Sequence, residues 1–443
     1  MSLIVLFGVF LALLIAGTAI PFAIGIAALI SLYMQGGLIS FNALGLISWG
    51  SMDNFSLTAV PLFVLMAEIV MQSGLSHRVY RGMYTLVRHL PGGLLQTNIA
   101  GCGVFAAISG SSVATAAAIS AVALPHLKER GYNQRLALGT LAAGGTLGIL
   151  IPPSVAMIIY GTFTQTSIAK LFIAGVIPGI VLVLLFMVYV ALLAWIRPQW
   201  VREAAAAQTT TVKPEDESAE LDMGSGSMLG AANDLLPFAI LIAFVVGSLY
   251  FGWATPTEAG AIGAVGATVI AYIWSPHGFR SLWPALVSSA QITGAVLFIV
   301  YAAFLFSYAI NLSGFPGEAA TWLVGQELSR LEFLIALFVL YIIMGCIMDS
   351  LAMIVITIPL LQPVLMAYGI DLIWFGVALV LLIELGLITP PLGLNLFVLQ
   401  SISKGKLSDV IWGTAPFCVI VLIMLALLTV WPDLALYLPS TLE

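Results

Sequence analysis

From Leu3 to Met34 the chain carries no charged residue, and long apolar runs recur through to its last segment. A helix needs about 20 predominantly apolar residues to cross the hydrocarbon core of a bilayer. Inside lipid every backbone N–H and C=O must be paired within the protein, so only helices and closed barrels can span. Runs this long exceed a barrel strand, and the chain therefore reads as an all-α, multi-spanning integral membrane protein. Charge usage agrees, at 8% against about 25% for soluble domains. The net charge of -6 leaves no basic field for nucleic acid. Cys102, Cys346 and Cys418 sit in apolar runs without paired spacing and read as small core residues. The first run has no basic segment before it and exceeds the roughly 7–15 apolar residues of a signal peptide, so it is expected to be retained. It fits one tilted helix or two shorter ones broken near Gly17–Pro21.

Membrane segments are expected near 3–34, 58–76, 94–125, 136–166, 170–196, 234–252, 257–275, 284–311, 332–366, 372–402 and 408–432. Between about 200 and 233 lies TTTVKPEDESAELDMGSGS, too polar to offset its ordering entropy by burial, which predicts a flexible linker.

Basic residues set the orientation, because cytoplasmic loops retain positive charge. Arg78, Arg81 and Arg88 precede segment 94–125, and Lys128, Arg130 and Arg135 follow it. With both flanks cytoplasmic, 94–125 enters and returns as a re-entrant hairpin, turning at the small polar patch Ile108–Ser112. Alternation then makes 332–366 a second hairpin, entered from outside, with Gly345–Ser350 as its polar middle. In this topology 12 of the 14 basic residues are cytoplasmic, the exceptions being Lys170 and Arg330.

The halves repeat. Pro152-Pro153 follows the first hairpin and Pro390-Pro391 the second, and Pro178 and Pro416 each lie 25 residues beyond the second proline of a pair. Pro125 and Pro359 mark the hairpin ends. Two Pro-Pro-broken helices in an inverted repeat are a signature of secondary transporters with binding sites at the midplane. Each Pro-Pro removes two N–H donors and frees carbonyls, which are hard oxygen ligands suited to Na⁺. Broken backbone survives in lipid only when buried in protein or lining a cavity. Helix N-termini at the hairpin turns present free N–H groups to an anion. No lysine or arginine falls at the expected midplane, so an anionic substrate must be neutralised by helix ends, hydroxyls and co-bound cations. The plainer reading, kinks and close helix contacts, is outweighed by two breaks in matching positions.

Asp349 beside Ser350 is a site candidate as an intramembrane acid. Thr115 takes the comparable place in the first hairpin, counting back from Pro125 and Pro359. Glu384 and Glu68 fit an ion or proton route and a hydrogen-bonded structural role equally. Asn395, after the second break, can donate or accept.

SGSSVATAAAISAVALP from Ser109, IPPSVAMIIYG from Ile151, KLFIAGVIPG from Lys170, TPTEAGAIGA from Thr255, MDSLAM from Met348 and ELGLITPPLGLNLFV from Glu384 cover most of the chain in order. Here the sequence resembles the large membrane (M) subunit of tripartite ATP-independent periplasmic (TRAP) transporters, a DctM-like family of the ion-transporter superfamily. The resemblance implies an inner-membrane protein, a separate four-helix small membrane subunit, and a periplasmic binding protein that delivers an organic acid. It implies Na⁺ as coupling ion, no other cofactor, no enzymatic activity, and an elevator mechanism. Ser109, Gly110, Ser111 and Ser112 with Pro152, Pro153 and Ser154 are expected to frame one sodium site. Gly345, Asp349 and Ser350 with Thr389, Pro390 and Pro391 are expected to frame the other, with substrate between the tips. The implied units are N-terminal scaffold helices (1–93), a first repeat (94–199), a cytoplasmic linker (200–233), further scaffold helices (234–331) and a second repeat (332–443).

Three alternatives compete. A stand-alone carboxylate symporter of the same superfamily would share the hairpins and lack the partners. An intramembrane protease would need a base near Ser111 or a second acid near Asp349, yet the four histidines fall at loop ends and no GxGD-like pair is present. A passive channel would conduct without a sodium gradient.

Overall fold

The computed structural model describes residues 2–201, 227–275 and 278–441, and among them the regular elements are all helical. The greater part of the expected linker, 202–226, lies outside the described residues. The first half comprises α1 (Ser2–Ile15), α2 (Ile20–Gly36), α3 (Leu44–Met52), α4 (Ala59–Gln72), α5 (Ser76–Val87), α6 (Leu94–Ser109), α7 (Ser112–Glu129), α8 (Gln134–Leu150), α9 (Val155–Thr164), α10 (Ile168–Ile196) and the single turn α11 (Pro198–Val201). The second comprises α12 (Met228–Tyr250), α13 (Pro256–Trp274), α14 (Leu282–Leu312), α15 (Phe315–Val324), α16 (Arg330–Gly345), α17 (Ser350–Ala367), α18 (Leu372–Leu387), α19 (Leu394–Ser403), α20 (Leu407–Val430) and α21 (Asp433–Ser440). Among the described residues nine helical stretches are long and apolar enough to cross a bilayer.

The first apolar run resolves into two helices, with Gly17 at φ 78 in the break between them. Helices α3, α5, α15 and α21 fall where the sequence suggested loops, and α12 starts at Met228, inside the expected linker. α5 forms because Val79, Tyr80, Gly82 and Thr85 share a buried face, while its arginines reach outward. Arg81 grips the buried Asp234 of α12 through both carboxylate oxygens, at 2.7 and 2.8 Å. Arg78 adds a contact to Asp234 at 3.0 Å and donates to the carbonyl of Trp274, the last residue of α13. Asp234→Ala is expected to cost about 2 kcal/mol of stability, because the arginines it strands are partly hydrated and the full penalty of a broken buried pair does not apply. A melting temperature equal to wild type would show that the three-residue latch contributes nothing.

The helices before the two Pro-Pro breaks form the core. Every residue from Leu136 to Leu150 of α8 is buried, and so is every residue from Trp374 to Leu387 of α18. With no face left exposed over these stretches, both helices lie in the protein interior. α6, α7 and α20 pack around α8, and α16 and α10 lie against α18. The crossing of α8 and α20 is a glycine-to-glycine contact. A Cβ on Gly139 would overlap the carbonyl of Gly413, and one on Gly413 would overlap the carbonyl of Arg135. Gly345 of α16 and Gly386 of α18 meet in the same way.

The repeats brace each other. α19, which follows the second break, packs on α7 of the first hairpin, and α9, which follows the first break, packs on α17 of the second. Asn395 Nδ2 donates to Ser112 Oγ at 2.7 Å, and Gln362 Nε2 donates to the Thr164 carbonyl at 3.2 Å.

Candidate functional site

At the first tip, α6 ends at Gly110, held in the left-handed region at φ 60, and Ser111 caps α7 by accepting from the Ala114 N–H at 3.4 Å. The hydroxyls of Ser109 and Thr115 lie 2.5 Å apart, and Thr115 donates to the Ser111 carbonyl at 2.8 Å. Gly110 sits directly over the first break, where an added Cβ would come 2.8 Å from the Pro153 carbonyl oxygen. The tip thus gathers the Ser111 and Pro153 carbonyls with two hydroxyls beside the end of α8. Ser154 is buried and caps α9 through the Met157 N–H.

The second tip is built alike. Asp349 caps α17 by accepting from the Ala352 N–H at 2.9 Å. The Cys346 carbonyl accepts from the Leu392 N–H at 3.1 Å, tying the tip to the second break, and Thr389 donates back to the Leu385 carbonyl at 2.6 Å. Both Pro-Pro bonds are cis. Helix numbering from the caps corrects the sequence alignment of the hairpins. Ser111 corresponds to Asp349, and Ser112 to Ser350, each first in its helix. Pro125 then corresponds to Pro363, not Pro359, and Thr115 is one turn deeper than Asp349.

Between the tips lies a cavity of about 250 Å³. Ser109, Gly110, Ser111, Ser112, Asp349 and Ser350 line it. Thr115, Pro152, Pro153, Ser154, Gly345 and Asn395 are buried outside that lining, whereas Thr389 is half-buried and Pro390 and Pro391 of the second break are exposed. Ile149 and Leu387 also reach the cavity. Their carbonyls are the ones whose helical donors would have come from Pro153 and Pro391, which have no N–H. The first residues of α7, α9, α17 and α19 all line the cavity, as Ser112, Val155, Ser350 and Leu394. Four helix N-termini therefore converge on one small space, each contributing partial positive charge. No lysine or arginine is among the described lining residues.

The far wall comes from helices outside the repeats. Val64, Ala67, Glu68 and Met71 of α4 and Ile292 and Val296 of α14 close the cavity. Ile292 and Val296 carried no sequence signal of their own, being aliphatic residues in a mostly apolar segment. Glu68 was a candidate by its charge, and the structure places it in this wall. Glu384 is fully buried in α18, with neither carboxylate oxygen hydrogen-bonded.

Comparison with known proteins fits this geometry. Residues 7–434 match the family described as the tripartite ATP-independent periplasmic transporter, DctM component. A C4-dicarboxylate TRAP transporter large permease protein of Pseudomonas aeruginosa is 33% identical over 404 residues, covering 91% of this chain and 90% of its own length. A 2,3-diketo-L-gulonate TRAP transporter large permease protein of Escherichia coli is 32% identical over 383 residues, covering 86% of each. The Alcanivorax borkumensis YdaH transporter shares the fold, with a TM-score of 0.62 at 17% identity over 91% of this chain and 89% of that one. Paired tips, paired breaks and a match along nearly the whole sequence place this inner-membrane chain in the DctM family of TRAP transporter large permeases.

Proposed function

We propose that this permease imports a C4-dicarboxylate or related organic acid, driven by a sodium gradient. The observation that carries this reading is the convergence of four helix N-termini on a cavity lined by Asp349 and Glu68, with no lysine or arginine among its described lining residues. The helix ends favour an anion, while Asp349, the hydroxyls and the carbonyls of Ile149 and Leu387 are hard oxygen donors suited to a small cation. The volume, about 250 Å³, is below the roughly 300–1,000 Å³ of drug-sized pockets and suits a small acid.

The hairpin arms α6 and α16 have 16 residues each and α7 and α17 have 18, or about 24–27 Å, short of the roughly 30 Å hydrocarbon core. This supports arms that enter and return, with tips at mid-depth. The cavity lies between the repeats on one side and α4 and α14 on the other, which supports an elevator in which the repeats carry the load along a fixed wall. The family's tripartite description supports a separate small membrane subunit and a periplasmic binding protein as partners.

The test is uptake of labelled succinate by proteoliposomes containing the complete complex. Imposing an inward sodium gradient is expected to raise the initial rate at least ~10-fold, the change that a coupling of ~1.4 kcal/mol would give. Equal rates with and without the gradient would refute sodium coupling and favour a passive pathway.

A further inference from the structure

Glu68 has no task in the reading above, yet it stands in the wall of the same cavity. It lies on α4, among the helices that do not belong to the repeats, and is 4% exposed. Its one recorded partner is Gln72, one turn along, whose Nε2 donates to Oε2 at a long 3.4 Å. No described ion pair includes it, and no described lysine or arginine lines the space it faces. A carboxylate with so little local hydrogen bonding depends for its charge balance on whatever fills the cavity.

We propose that Glu68 is a specificity-determining charge filter on the fixed wall, admitting an acid substrate only when co-bound sodium offsets its charge. This rests on the proposed function. Two carboxylates on the order of 6 Å apart, at an effective dielectric of about 20, repel enough to weaken binding by roughly a hundredfold. Residual water and the four helix ends reduce that figure, and about tenfold is expected to be measurable. Repulsion of the unwanted state is a general route to specificity; here the unwanted state is acid without sodium. Asp349 and Glu68 then have opposite tasks. Asp349 travels with the repeats and draws the cation in, whereas Glu68 stays on the wall and penalises an acid that arrives without one.

The test is binding of radiolabelled succinate to the purified complete complex, titrated at low and high sodium with choline as replacement. Glu68→Gln keeps the shape and the Gln72 contact while removing the charge. It is expected to bind succinate about tenfold more tightly than wild type at low sodium, and equally at high sodium. Glu68→Met, which keeps a side chain of similar length and adds no charge, is expected to tighten low-sodium binding in the same direction. It serves as the test should Glu68→Gln fail to fold. A wild-type sodium requirement in the folded variant would overturn the filter and leave the proposed function standing. Loss of succinate binding at every sodium concentration would also overturn it, by making Glu68 a ligand. A wild-type protein whose succinate binding ignores sodium would overturn the filter together with the sodium reading.

Discussion

Asp349→Asn is expected to lower sodium-driven uptake about a hundredfold while the protein still folds and inserts. The substitution separates two tasks of one side chain. Asp349 caps α17 by accepting from the Ala352 N–H, and asparagine caps helices about as well as aspartate. The start of α17, and with it the shape of the second tip, is therefore preserved. What disappears is the negative charge beside Ser350 in a cavity with no lysine or arginine among its described lining residues. Removing one partner of a buried charge pair costs about 3 kcal/mol, which corresponds to roughly a hundredfold in ion affinity. Asp349→Ala is expected to lose the same affinity and a further ~1 kcal/mol of stability with the cap. The discriminating measurement is the sodium concentration for half-maximal uptake, taken alongside the melting temperature. Wild-type sodium dependence in a well-folded Asp349→Asn protein would remove Asp349 from the ion site.

Gly413→Val is expected to be the most destabilising single change outside the cavity. Its Cβ would overlap the Arg135 carbonyl, and the reciprocal Gly139→Val would overlap the Gly413 carbonyl. An overlap with the end of a side chain can be relieved by a rotamer change; one with backbone requires two helices to separate. α8 has neighbours on every side, so a shift there propagates to both α6 and α7 of the first hairpin. Overpacking typically costs about 1–3 kcal/mol, and a backbone clash at a small-residue helix crossing is expected at or above the upper end. The measurement is thermal unfolding in detergent, with yield of folded protein as a second readout. Gly247→Ala in α12 is the control, since nothing lies within 4 Å of its added Cβ. It should leave stability unchanged or raise it slightly through helix propensity. Equal melting temperatures for Gly413→Val and Gly247→Ala would show that the crossing does not limit stability.

The features legible in the sequence were those written in special chemistry. Pro152-Pro153 and Pro390-Pro391 must interrupt a helix wherever they occur, because an imino acid has no N–H to give. Ser109 to Ser112 and Gly345 to Ser350 stood out as small polar patches inside apolar runs. Both pairs of features fall at interruptions between consecutive helices. Less local properties were hidden. The wall formed by α4 and α14 could not be read, since in lipid a helix gains little from turning one apolar face rather than another toward the protein, and its pattern stays uniform. α5 was missed for the opposite reason, as its arginines made an amphipathic helix look like a charged loop, and their bond to Asp234 spans 153 residues. The pairing of Thr115 with Asp349 failed because α17 contains two prolines, Pro359 and Pro363, and counting from the first shifts the register by about one turn. Asn395 stood out as a polar residue able to donate or accept, but nothing local pointed to its partner, Ser112, which belongs to the other repeat.

That last bond bears on how the protein is made. Ser112 leaves the ribosome 283 residues ahead of Asn395. At about 5–20 residues per second, the wait is roughly a quarter of a minute to a minute. During that time the second arm of the first hairpin has been synthesised without the helix that will cover it. The polar end of α7 must be sheltered meanwhile by the insertion machinery, by lipid headgroups or by trapped water. A nascent chain stalled between the two repeats should accordingly stay sensitive to membrane proteases and become resistant once α19 has emerged.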